Sequence, residues 1–129
     1  MLGTTKRGIG PTYATKMFRS GIRVGELKNW DLFVSRYNNL HDKIKEDYKI
    51  NVDREGELKE LKAHRDFMIG NNMIIDSASF VNQAIRDGKR VLMEGANAIM
   101  LDIDHGTYPY VTASNTGIGT NIPNCTLIG

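Results

Sequence analysis

Met73-Ile74-Ile75 and Val91-Leu92-Met93 are two short apolar runs, and between them Phe80, Val81, Ala84 and Ile85 recur at helical spacing. Runs of this length are consistent with buried strands. Asp76 or Ser77 can cap the intervening helix, and Gly88 can stop it. Strand, helix and strand within about 20 residues make a compact βαβ unit, which implies parallel strands covered by helices. Two strands alone do not form a stable parallel sheet, so this unit requires neighbouring strands.

Upstream, the pattern is helical. Trp30, Phe33, Val34, Tyr37, Leu40, Ile44 and Tyr48 form one apolar stripe over residues 29–48. Asn29 can cap that helix, and Asp31 complements the positive end of its dipole. His41 lies among polar neighbours and is expected to be exposed. A second helix over Glu55–Met68 is marked by Leu58, Leu61, Phe67 and Met68, with Gly70 available to stop it and His64 as a structural histidine. Three glycines between Gly3 and Gly10 favour a loop. Pro11 suits the first turn of a short helix through Thr12–Arg19, which Gly21 can end with a positive φ. Ile22-Arg23-Val24 reads as a brief strand.

Composition places the chain among soluble globular proteins, with 40% apolar and 25% charged residues in 129. No apolar run approaches the roughly 20 residues that span a bilayer. The N-terminus lacks the apolar core of a signal peptide, so a cytoplasmic protein without membrane association is expected. Cys125 is the single cysteine, which excludes an internal disulfide, and no nearby His suggests an activated thiol. The net charge of +2 is unevenly distributed. Residues 1–28 carry six basic side chains and one acidic, whereas the remainder carries 11 basic and 14 acidic. A basic, glycine-rich opening points to an anionic ligand, either phosphate or nucleic acid.

Gly3-x-x-x-x-Gly8 is followed by Ile9 rather than by the Lys and Ser/Thr of a nucleotide-hydrolysing P-loop. Its free N–H groups and threonine hydroxyls can still hold a phosphate beside a helix start. Glu94-Gly95-Ala96-Asn97-Ala98 follows the second apolar run, where open α/β sheets place their ligands. Asp102, Asp104 and His105 do not have a recognised metal-ligand spacing. A strand-like Asp-Ile-Asp with carboxylates bonded to loop backbone is the simpler reading.

Gly3-Thr4-Thr5-Lys6-Arg7-Gly8-Ile9-Gly10-Pro11-Thr12-Tyr13, followed by Lys16, Arg19 and Gly21-Ile22-Arg23-Val24, closely resembles one signature of the adenylosuccinate synthetase family. Glu94-Gly95-Ala96-Asn97-Ala98, followed by Leu101-Asp102-Ile103-Asp104-His105-Gly106-Thr107-Tyr108-Pro109-Tyr110-Val111-Thr112-Ala113-Ser114-Asn115-Thr116, resembles a second. Asn97, where bacterial members usually have glutamine, gives the chain a eukaryotic cast. The resemblance implies an α/β fold: a partial P-loop-type parallel sheet with a helical insertion, incomplete relative to the family domain. It divides residues 1–119 into an inosinate phosphate loop and dimer segment (1–24), a helical segment (25–72), and a βαβ unit with substrate loop (73–119). Residues 120–129 read as a divergent tail.

The family joins inosinate (IMP) to L-aspartate on the route to AMP, using GTP and Mg2+. GTP phosphorylates the 6-oxygen of inosinate, and the aspartate amine displaces that phosphate. By resemblance, Thr5 and Thr112 meet the inosinate 5′-phosphate and Asn97 meets the 6-oxygen of the base. Arg19 would cross a homodimer interface to the partner's inosinate phosphate, as the planar fork of a guanidinium allows. Arg23 would support the same interface. The family's GTP-binding loop and acid–base pair have no counterpart, and the main binding residues for Mg2+ and GTP are absent. The isolated chain is therefore expected to be inactive.

Two other readings stand beside this one. The basic opening could belong to a non-enzymatic phosphate- or RNA-binding module, although single-strand nucleic acid binding generally uses aromatics among the basic residues. Alternatively, the chain could act only by pairing with full-length subunits through the region of Arg19 and Arg23.

Overall fold

Four α-helices and two 3-10 turns are the regular elements of the computed structural model, which describes residues 6–117. Helix α1 runs Ile9–Met17, α2 Trp30–Tyr48, α3 Arg54–Gly70 and α4 Ser77–Arg86. The 3-10 turns are Val24–Lys28 and Ile99–Leu101. Two compact units result among the described residues, one of residues 18–75 and one of residues 6–17 with 76–117. Among the described residues, no helix is long and apolar enough to cross a membrane.

Local chemistry accounts for the helix ends. Helix α1 begins three residues earlier than the sequence pattern suggests, because Pro11 needs no N–H partner in a first turn. The Asn29 side chain accepts from Leu32 N at 3.2 Å, Asp53 from Gly56 N at 3.1 Å and Asp76 from Ser79 N at 3.3 Å. Each satisfies one of the N–H groups that an α-helix leaves unpaired. At the other end of α4, Gly88 adopts φ 71°, with Gly88 N bonded to Ile85 O and Lys89 N to Ala84 O, both at 2.9 Å. Helix α3 ends in the same paired arrangement, through Asn72 at φ 53°, Asn72 N to Ile69 O at 3.1 Å and Met73 N to Met68 O at 2.9 Å. Asn72, not Gly70, is the left-handed residue there.

The expected α/β fold with a partial P-loop-type parallel sheet is overturned: the described residues contain helices and no strand. Neither Met73–Ile75 nor Val91–Met93 joins a ladder, and Ile22–Val24 leads into a 3-10 turn instead. An extended segment becomes a strand only when a second strand takes its N–H and C=O groups. Met73 donates its N–H to the end of α3, and Leu92 is 90% exposed.

Within residues 18–75, the stripe of α2 packs against the 3-10 turn and α3. Leu27 and Phe33 are the buried apolar side chains among the described residues. Each removes about 1.5–3 kcal/mol worth of apolar surface from water. Trp30, Phe33 and Tyr37 stack in succession along α2, with centroids 5.3 and 6.4 Å apart. Arg65 of α3 donates from Nε to Leu27 O at 2.9 Å and lies 6.0 Å from the Trp30 ring centroid. A guanidinium thereby occupies the inward stripe of α3, while Phe67, expected on that face, is exposed. His64 is exposed as well. His41, expected at the surface, has a side chain only 10% exposed, and Arg54 Nη2 lies 2.8 Å from its Nδ1. Helix α3 covers it, which one helix's sequence pattern could not show.

In the other unit, the chain from Ile99 to Thr116 closes around Asp102, which is 3% exposed. Its Oδ1 accepts from Asp104 N at 3.0 Å and His105 N at 3.1 Å. Its Oδ2 accepts from Thr116 N at 3.0 Å and Thr116 Oγ1 at 3.1 Å. These bonds, led by the one from the Thr116 backbone, hold the carboxyl well below the usual carboxylate range. Asp102 follows a 3-10 turn rather than forming a strand-like Asp-Ile-Asp. Gly106 turns so tightly that an added Cβ would collide with the Met100 and Asp102 carbonyl oxygens and lie 2.8 Å from Asp102 N.

Three outcomes follow from these contacts. Gly88→Ala forces a side chain into a left-handed position, so urea unfolding followed by circular dichroism should show a loss of about 1–2 kcal/mol. Asp102→Asn places amide hydrogens against N–H donors, so the Asp104, His105 and Thr116 amides should exchange roughly tenfold faster. Since the folded carboxyl titrates below its unfolded value, its stabilisation is present above about pH 4 and lost on acidification. Tyr37 behaves oppositely: burial, then its hydrogen bond to Glu57, pushes its hydroxyl up to about 12. That contribution is present below about pH 10 and lost as pH rises to about 12. Tyr37→Phe should therefore flatten the fall in urea midpoint across that alkaline interval.

Candidate functional site

The loop closed by Asp102 carries two of the residues singled out from the sequence. Thr112 N donates to Leu101 O at 2.9 Å, which seats Thr112 against the preceding 3-10 turn. Its hydroxyl lies 3.0 Å from Ser114 Oγ and accepts from Ser114 N at 3.3 Å. Asn97 is exposed just before that turn, and its Nδ2 donates to Ser114 Oγ at 3.3 Å. Ser114 thus joins Asn97 to Thr112 across the loop.

Sequence reasoning did not assign Ser114 to the site. Its signal was the Thr112-x-Ser114 spacing, at which a hydroxyl can accept the N–H two residues on. Asn97, Thr112 and Ser114 form a neutral set of hydroxyl and amide groups. They can hydrogen-bond a phosphate or carbonyl oxygen, but none is an acid or base at neutral pH. The carboxylate beside them, Asp102, already has both oxygens bonded to the loop.

Arg19 and Arg23 belong to the unit of residues 18–75. Arg19 lies two residues beyond α1 with φ 60°, so the left-handed residue expected at Gly21 is an arginine. Such a backbone is uncommon outside glycine. Arg19 lines a cavity of about 260 Å³ with Ser20, Arg36, Asn39 and Lys43. Three cations share that wall, although Arg36 is also paired with Glu26 at 2.7 Å. Arg23 is exposed, and its backbone N–H donates to Glu26 Oε1 at 3.4 Å. Thr5 lies outside the described residues.

Among the described residues, no three His, Cys, Asp or Glu side chains lie where they could share a metal ion. Asp104 and His105 are exposed neighbours whose backbone N–H groups serve Asp102.

Comparison with known proteins agrees with the loop-by-loop resemblance. The adenylosuccinate synthetase family model matches residues 1–127. Adenylosuccinate synthetase from Paramecium tetraurelia is 54% identical over 118 residues, covering 92% of this chain and 27% of that protein. The enzyme from Meyerozyma guilliermondii is 51% identical over 124 residues, covering 92% of this chain and 29% of its own length. The fully ligated adenylosuccinate synthetase of Plasmodium falciparum superposes with a TM-score of 0.91 at 45% identity, covering 98% of this chain and 30% of that one. The chain therefore spans under a third of the relatives it matches. With a family match running through nearly all its residues and the Asn97–Thr112 loop intact, the chain belongs to the adenylosuccinate synthetase family.

Proposed function

We propose that this chain is the inosinate-holding portion of a cytoplasmic ligase of purine biosynthesis. That ligase joins IMP to L-aspartate with GTP and Mg2+, and forms adenylosuccinate. The observation that carries the reading is the Asn97–Ser114–Thr112 cluster, present within a chain of this family. Thr112, with Thr5, donates hydroxyl hydrogen bonds to the inosinate 5′-phosphate. Asn97 has a second amide hydrogen beyond the one on Ser114, and donates it to the 6-oxygen of the base. Ser114 orients both side chains.

Arg19 reaches the inosinate phosphate of a homodimer partner, and Arg23 supports that interface. The cations around Arg19 favour this role, because they raise the local concentration of an anion. A left-handed arginine where glycine would be less strained also suits a residue retained for its side chain.

Among the described residues no trio of His, Cys, Asp or Glu side chains is placed to share a metal ion, and both Asp102 oxygens are already bonded to the loop. No step through Mg2+ or GTP is assigned to this chain. Its residues bind and orient inosinate without moving a proton.

Titrating the 129-residue chain with inosinate tests the reading. Saturable binding is expected, weakened roughly tenfold by Thr112→Val, the scale of one hydrogen bond to a charged group. Arg19→Gly should raise stability by about 1–2 kcal/mol while lowering inosinate affinity, two effects a purely structural residue would not combine. Incubation with inosinate, GTP, Mg2+ and L-aspartate should yield no adenylosuccinate. Salt-dependent RNA binding without inosinate binding would replace this reading with that of a nucleic-acid module.

A further inference from the structure

Arg36, Asn39 and Lys43 follow one another at single-turn intervals along one face of α2. With Arg19, Ser20 and Gly21 of the turn after α1, that face walls the hollow of about 260 Å³. Leu40 completes the wall, and no Asp or Glu lines it.

The three cations are not equivalent. Arg36 Nη1 pairs with Glu26 Oε1 at 2.7 Å, and the same oxygen accepts from the Arg23 N–H at 3.4 Å. Glu26 therefore neutralises Arg36 and holds one edge of its fork. Neither Arg19 nor Lys43 has an ion-pair partner among the described residues. Three cations less the one carboxylate leave two positive charges unmatched at the hollow. Leu40 makes one side of it apolar, which concentrates their field there.

That charge selects the class of ligand. A phosphate monoester carries about −1.5 to −2 at neutral pH and offers three acceptor oxygens. The donors facing it are the Arg19 fork, the Lys43 ammonium, the unused N–H groups of Arg36, the Ser20 hydroxyl and the Asn39 amide. A carboxylate, with a single charge, would leave one cation unmatched. The volume falls below the roughly 300–1,000 Å³ of pockets that enclose a drug-sized ligand, so the phosphate enters and the rest of the molecule stays outside. We propose that this hollow is a phosphate-monoester site in which Lys43 is a second phosphate-binding cation beside Arg19, with Arg36 positioned by Glu26 as a third. The inference deepens the reading of Arg19 as a contact to a homodimer partner's inosinate phosphate, and rests on it for the identity of the monoester.

Inorganic phosphate is the probe, titrated into the 129-residue chain at constant ionic strength. Nuclear magnetic resonance follows the Asn39 side-chain amide and the Nε–H groups of Arg19 and Arg36, and saturable shifts of all three are expected. Lys43→Gln should weaken phosphate binding roughly tenfold, the scale of one hydrogen bond to a charged group, while Lys43→Arg should lose less. Lys45→Gln removes the same charge outside the hollow and should change affinity by less than about twofold, because exposed charges are screened. Inosinate should reproduce the shifts, and inosine, which lacks the phosphate, should not. An absence of saturable shifts, equal losses in Lys43→Gln and Lys45→Gln, or equal shifts with inosine would overturn the site. Unaltered affinity in Lys43→Gln would overturn the role of Lys43. Phosphate shifts at Asn39 without inosinate binding sensitive to Thr112→Val would leave this site standing and remove the inosinate reading. Inosinate binding sensitive to Thr112→Val, with no phosphate shift at Asn39, would do the reverse.

Discussion

Asp102 carries a negative charge into a position only 3% exposed, where hydrogen bonds must replace the water it has lost. Four donors meet that requirement, three backbone N–H groups and one hydroxyl, all of which would otherwise have to be satisfied by solvent. Gathering Asp104, His105 and Thr116 onto one carboxylate draws both ends of the loop together. The tight turn at Gly106 follows, as does the seating of Thr112 against Leu101. Every candidate substrate contact on this loop therefore depends on a residue that would not itself touch substrate.

The unit of residues 18–75 has a comparable device of opposite charge. Arg65 lies where a helix normally presents an aliphatic residue, and it binds the Leu27 carbonyl and the Trp30 face together. With two apolar side chains buried among the described residues, directional polar contacts carry much of the definition that a larger core would supply. Arg54 does the same beside His41 and Asp42. These charges hold structure, whereas the Asn97–Ser114–Thr112 cluster consists of neutral hydroxyls and amides.

The helices were legible because their determinants are local. Asn29 and Asp76 each cap the helix that follows, and the α2 stripe recurs at the spacing of one face. Gly88 ends α4 by its own backbone freedom. The family was legible for a different reason: the segments around Gly3–Val24 and Glu94–Thr116 each combine many particular residues in a fixed order. Asn97 and Thr112 could be picked out from those segments alone, but their connection through Ser114 could not.

Local sequence settled the helices, the caps at Asn29 and Asp76 and the family, since each rests on residues adjacent in the chain or on an ordered motif. The apolar runs at Met73–Ile75 and Val91–Met93 had the composition of strands, but a strand exists only through a partner that composition cannot supply. The inward turn of Arg65, the burial of His41 and the left-handed backbone at Arg19 were likewise decided by tertiary structure. Each depends on what another segment leaves space for, and residue spacing along one segment carries no record of that.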